Sequence, residues 1–167
     1  GVDQKLLDTD YADLPLLPDG SRIPLLQEVL DMVNGRAPII VEVKYYGGAA
    51  RVAKAAHEAL KGYRGAYCVE SFDPRCVAWL RKNRPEIIRG QLSQNFLKSK
   101  DKLSFPLKIV MTSLVTNFLT KPDFVAYNEK YAREWALWLN IRILRAVPFV
   151  WTVRDVTLWR ASHEKKI

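Results

Sequence analysis

Strand-like and helix-like stretches alternate along this chain, and that alternation limits its possible folds more than any other feature. The Ile- and Val-rich run 38–45 predicts a strand. Residues 49–60 then place Ala49, Val52, Ala53, Ala56 and Leu60 on one face at helical spacing. The pattern continues with a strand over 66–71 and a helix opening at Asp73-Pro74, with Asp73 as its N-cap. A strand over 87–92, a helix over 107–119 and a strand over 123–127 come next. Tyr131, Trp135, Trp138, Leu139 and Arg142 space out a further helix, followed by a strand over 147–153 and a helix from Asp155 onward. Ahead of these, Pro24 opens a helix with Leu25, Leu26, Val29, Leu30 and Val33 on one face, stopped at Gly35. Residues 1–23 read as loop, with Pro15, Pro18 and the Asp19-Gly20 turn. Residues 95–103 are polar and show no period.

Such alternation implies an α/β fold with a parallel sheet and right-handed crossovers. Open doubly wound sheets and closed barrels both satisfy it. The strands near 39–45 and 147–153 are mostly apolar, as strands covered on both faces are. No GxGxxG or Walker-type loop is present, and Gly47-Gly48 reads as a turn before a helix, which argues against dinucleotide or nucleoside triphosphate binding.

At 167 residues the chain has the size of one domain, and 49% hydrophobic against 26% charged residues exclude a disordered or collagen-like chain. No apolar run approaches the roughly 18 residues of a membrane span. Cys68 and Cys76 are too few for a disulfide framework and fit no metal spacing, so the cytoplasm is the expected compartment. The net charge of +8 is dispersed. Its densest runs, 81–84 and 98–102, do not interleave aromatics as a single-strand stacking platform does, so no nucleic-acid partner is expected. An anionic small substrate or a phospholipid-rich surface suits such a field equally.

The run 39–45 sets Glu42 and Lys44 on one strand face and Val41, Val43 and Tyr45 on the other. A carboxylate and an ammonium in an apolar strand are costly unless paired or bound. Two readings follow: a buried Glu–Lys ion pair, or a site at the carboxyl end of the strand, where parallel sheets and barrels bind ligands. In the second, Glu42 holds a divalent metal and Lys44 neutralises an anionic oxygen such as phosphate. Glu70 is a second carboxylate at a strand end, beside Ser71 and Asp73, which also suit helix capping. Trp151 is either a pocket wall or core. The only histidines, His57 and His163, fall within or near helices, and no Ser-His-Asp or Cys-His arrangement can be assembled from them.

Four segments carry a family resemblance: Ile23-Pro24-Leu25-Leu26-Gln27-Glu28-Val29-Leu30, Glu42-Val43-Lys44, Ser71-Phe72-Asp73-Pro74 and Trp151-Thr152-Val153. In order and spacing they resemble the glycerophosphodiester phosphodiesterases. The resemblance implies a (β/α)8 TIM barrel that hydrolyses glycerophosphodiesters to glycerol 3-phosphate and an alcohol with a divalent cation, Mg2+ or Ca2+. By position Glu42 would be a metal ligand and Lys44 would contact the phosphate. Ser71, Phe72 and Trp151 would line the substrate site. Arg154 stands where the family usually has Asn, and there it is either a phosphate-facing guanidinium or a surface charge. The family's opening His-Arg-Gly strand, acidic pair and His-Asp turn do not occur in the chain. The expectation is therefore an incomplete barrel of about five βα units, with 1–23 as loop and 24–167 as those units. Such a chain would lack the acid–base histidines and would be inactive as it stands. The alternative is a non-catalytic remnant that binds phosphate or another anion.

Overall fold

The computed structural model describes residues 8–44, 48–132, 134–153 and 157. Ahead of the first helix, the described residues hold a 3-10 turn at Tyr11–Asp13. Helix α1 runs over Leu26–Val33; the Glu28 carboxylate accepts from the Leu25 backbone N–H at 2.7 Å, and left-handed Asn34 ends the helix. Strand β1 is Ile39–Glu42 and helix α2 is Ala49–Leu60. Then come β2 (Tyr67–Ser71), α3 (Pro74–Asn83) and β3 (Arg89–Ser93). After them lie α4 (Phe105–Ser113), the short α5 (Asn117–Thr120), β4 (Phe124–Asn128), α6 (Trp135–Leu144) and β5 (Val147–Trp151). The helix expected from Asp155 onward lies outside the described residues, Thr157 excepted.

The five strands form one parallel sheet in the order β1-β2-β3-β4-β5. Sequential order, with a helix after each of β1 to β4 among the described residues, is the winding of a barrel wall and agrees with an incomplete barrel. One expected element differs. The helix read over 107–119 is broken at Leu114, which adopts φ 55° and ends α4 before α5 begins. Leu114 is buried in the cluster of Val125, Tyr127, Ala136, Leu137 and Ala146. Seating its side chain there outweighs the cost of a left-handed backbone at a non-glycine residue.

Two layers of core follow from the period-two alternation. Outward side chains pack under the helices, with Val43, Val69, Ile87, Leu60 and Leu80 in the largest cluster. Leu92, Phe124 and Ala126 form a smaller cluster on the inner face, joined by Cys68, Phe72 and Trp151. Gly90 belongs to this inner layer because a Cβ there would lie 2.1 Å from the Phe124 ring. Ile40 of β1 and Phe149 of β5 are inner-face residues left half-exposed or more at the two edges.

Candidate active site

At the strand ends the expected residues fall into two groups, Glu42 with Lys44 and Glu70, and Phe72 with Trp151. Glu42 and Lys44 project from the end of β1, with Lys44 Nζ 3.8 Å from Glu42 Oε2 and the side chains 61% and 35% exposed respectively. The pair is therefore not a buried ion pair. In water-facing surroundings its attraction is weak, and Lys44 keeps its charge available for an anion. Tyr45, expected on the opposite face, lies outside the described residues.

Register supplies a second carboxylate. Glu42 and Glu70 are direct partners across β1 and β2. Burial, and then the charge of Glu42, hold the Glu70 carboxyl above the usual carboxylate range. Burial, followed by the charge of Glu70, pushes the neighbouring Cys68 thiol up as well. Burial and the neighbouring charge oppose the charged form of Glu70, and a cation placed between the paired positions relieves both. The two carboxylates would supply two of the oxygen ligands that a hard divalent ion takes. Among the described residues no group of three or more His, Cys, Asp or Glu is placed to hold a metal. The pair thus fits such an ion as part of a coordination shell.

Phe72 and Trp151 pack against each other on the inner face. Their rings meet edge-on at 5.7 Å, and Phe96 meets Phe72 edge-on at 6.2 Å. The Trp151 indole N–H donates to the Ala126 carbonyl at 3.0 Å, and its side chain packs on the inner core. Ser71 lies beneath this site rather than in it. Its buried hydroxyl donates to the Val43 carbonyl at 2.5 Å and accepts from the Asp73 N–H at 3.1 Å. Asp73 caps α3 as expected, accepting from the Arg75 N–H at 2.8 Å. Gln91 completes the support: its amide donates to the carbonyls of Ser71 and Phe72, each at 3.0 Å. Together these bonds fix the turns from which Lys44 and Phe72 leave the sheet.

Gln94 and Asn128 were not singled out from the sequence. The Asn128 amide donates to Gln94 Oε1 at 3.5 Å, at the carboxyl ends of β3 and β4. The signal was present, because each lies two positions past an inward-facing residue, Leu92 or Ala126. His57 sits on α2, where its Nε2 accepts from Arg84 Nε at 2.5 Å, away from the strand ends. Arg154 and His163 lie outside the described residues.

No family model and no curated protein matches the chain. Solved structures do. A glycerophosphodiester phosphodiesterase from Parabacteroides distasonis superposes with a TM-score of 0.67 at 18% identity, over 92% of this chain and 61% of its own. Another, from Agrobacterium tumefaciens, gives 0.54 at 18% identity, over 87% of this chain and 56% of its own. The likeness is one of fold, the α/β architecture of those barrels, and the chain spans about three fifths of their length.

Proposed function

We propose that this chain provides the central wall of a phosphodiesterase barrel that cleaves glycerophosphodiesters to glycerol 3-phosphate and an alcohol. One observation carries the reading: Glu42 and Glu70 face each other beside Lys44 at the strand ends of a fold shared with glycerophosphodiester phosphodiesterases. Glu42, with Glu70 opposite, would hold a Mg2+ or Ca2+ ion. When bound, that ion supplies a Lewis-acid charge to the phosphate. Lys44 neutralises a phosphoryl oxygen, and its ammonium counters the charge that builds there during attack. Phe72 and Trp151 offer an apolar wall to the glycerol carbons and exclude water from one side. We place the protein in the cytoplasm, a reading supported by two free cysteines.

Proton transfer is the part these residues do not supply. Among the described residues no histidine reaches the strand ends, and Glu42 and Glu70 are committed to the cation. This favours a second reading, a phosphate-binding protein without turnover, for the chain by itself. Calorimetric titration with glycerol 3-phosphate and Mg2+, together with an assay of glycerol 3-phosphate release from glycerophosphocholine, tests both. Binding is expected, weakened about tenfold or more by Lys44→Ala and by a chelator, without measurable release. Absence of binding removes the phosphodiesterase reading, and turnover at an enzymatic rate removes the inactive one.

A further inference from the structure

The end of the sheet that carries Glu42 and Lys44 is bordered by apolar side chains that no described element covers. Leu97 in the β3–α4 loop, Phe105 at the start of α4 and Trp135 at the start of α6 are 47%, 69% and 62% exposed. A helix that follows a parallel strand begins at that strand's carboxyl end, so all three lie on one rim. Hydrogen bonds hold the rim together. Asn95 Nδ2 and Lys98 Nζ donate to Glu134 Oε1 at 2.9 and 3.1 Å, tying the loop to the residue before Trp135. The Gln94 amide and the Ser99 hydroxyl donate to Asp101 at 2.8 and 2.5 Å, which draws the same loop back onto the end of β3.

Charge decides what fits this rim. Residues 97–108 contain Lys98, Lys100, Lys102 and Lys108 against Asp101 alone. Lys100, Lys102 and, beyond β4, Lys130 are exposed. Aromatic and aliphatic tips set among lysines match the boundary of a lipid bilayer. Indole and phenyl rings settle at headgroup depth, lysine stems lie along the apolar layer, and each ammonium is drawn to anionic lipid. We propose that this rim docks the chain on an anionic lipid bilayer, with the carboxyl ends of the strands turned toward the headgroups. No helix among the described residues is long and apolar enough to cross a membrane, so the contact is peripheral. The proposal uses none of the residues assigned to phosphate or cation, and it stands independently of the phosphodiesterase reading.

Co-sedimentation with phosphatidylcholine vesicles and with equimolar phosphatidylcholine–phosphatidylglycerol vesicles tests it. The chain is expected to pellet with the anionic vesicles and not with phosphatidylcholine alone. Lys100→Glu with Lys102→Glu should weaken binding about 30-fold, since each lysine at the surface contributes separately. Phe105→Ser with Trp135→Ser should weaken it about tenfold through lost insertion. Lys54→Glu with Lys82→Glu, which makes the same change of net charge on α2 and α3, should cost less than about threefold. Equal losses from the two charge-reversed pairs would reduce the effect to the general field of a basic protein and overturn the proposal. Unchanged binding in the serine variant, or no pelleting at all, overturns it too. If the serine variant instead abolishes self-association in sedimentation velocity while vesicles are ignored, the rim is a contact between copies and not a membrane surface.

Discussion

Glu134 and Glu70 are carboxylates pushed in opposite directions by their surroundings. Hydrogen bonds from Asn95 and then Lys98 hold Glu134 below the usual carboxylate range. Its contribution to stability is present above the unfolded pKa and is lost as pH falls through the folded one. Glu134→Gln should therefore lower stability by about 0.5–1 kcal/mol at neutral pH and converge with the parent in acid. Glu70 is held above that range by burial and by Glu42, so its ionisation weakens the fold as pH rises through its folded pKa. Glu70→Gln should be more stable than the parent at neutral pH and indistinguishable from it in acid. Urea denaturation across pH checks both signs, and a reversed sign for either removes the corresponding contact from the account. At this scale Glu42 and Lys44 were legible, because a two-residue period needs no knowledge of neighbours. That Glu70 faces Glu42 was not, since register between strands depends on packing that is distant in sequence.

Helices and strands were legible where the local pattern agrees with the tertiary demand. Asp73-Pro74 marks the start of α3 in the sequence, and the Asp73 cap is present. Asp73→Ala should cost about 1–2 kcal/mol, measured as a shift in the denaturation midpoint. The break between α4 and α5 had no such marker: no Gly or Pro stands at Leu114, and only its burial explains the left-handed turn. The same break positions α5 so that Asn117 Nδ2 donates to Asn140 Oδ1 at 2.7 Å, while the Asn140 amide donates to the Ala136 carbonyl at 2.8 Å. Both asparagines are fully buried. Asn140→Ala should therefore cost about 2–3 kcal/mol, because it strands a buried donor. A loss below about 0.5 kcal/mol would show that α5 relaxes to meet water instead.

At the scale of the whole molecule, alternation announced a parallel sheet, and the choice of a barrel wall rested on family resemblance until the sequential strand order was in view. Among the described residues the wall has two unpaired edges, and they are unequal. Val147 donates to the Asp123 carbonyl, so the next residue, Pro148, presents its nitrogen to the outer edge of β5, where it has no proton to give. The edge of β1 keeps its donors and carries exposed Ile40. Association of the chain is therefore expected to grow with concentration and to run through β1. Ile40→Thr should reduce it in light scattering and Phe149→Thr should matter less; the reverse order would move the contact to β5. The neighbour-to-neighbour order of the strands also bears on how the protein is made. As the chain leaves the ribosome, each new βα unit meets the unit synthesised just before it, and no strand waits for a distant partner. Growth of the wall can thus keep pace with translation, with the free side of its newest strand the part most exposed to strangers.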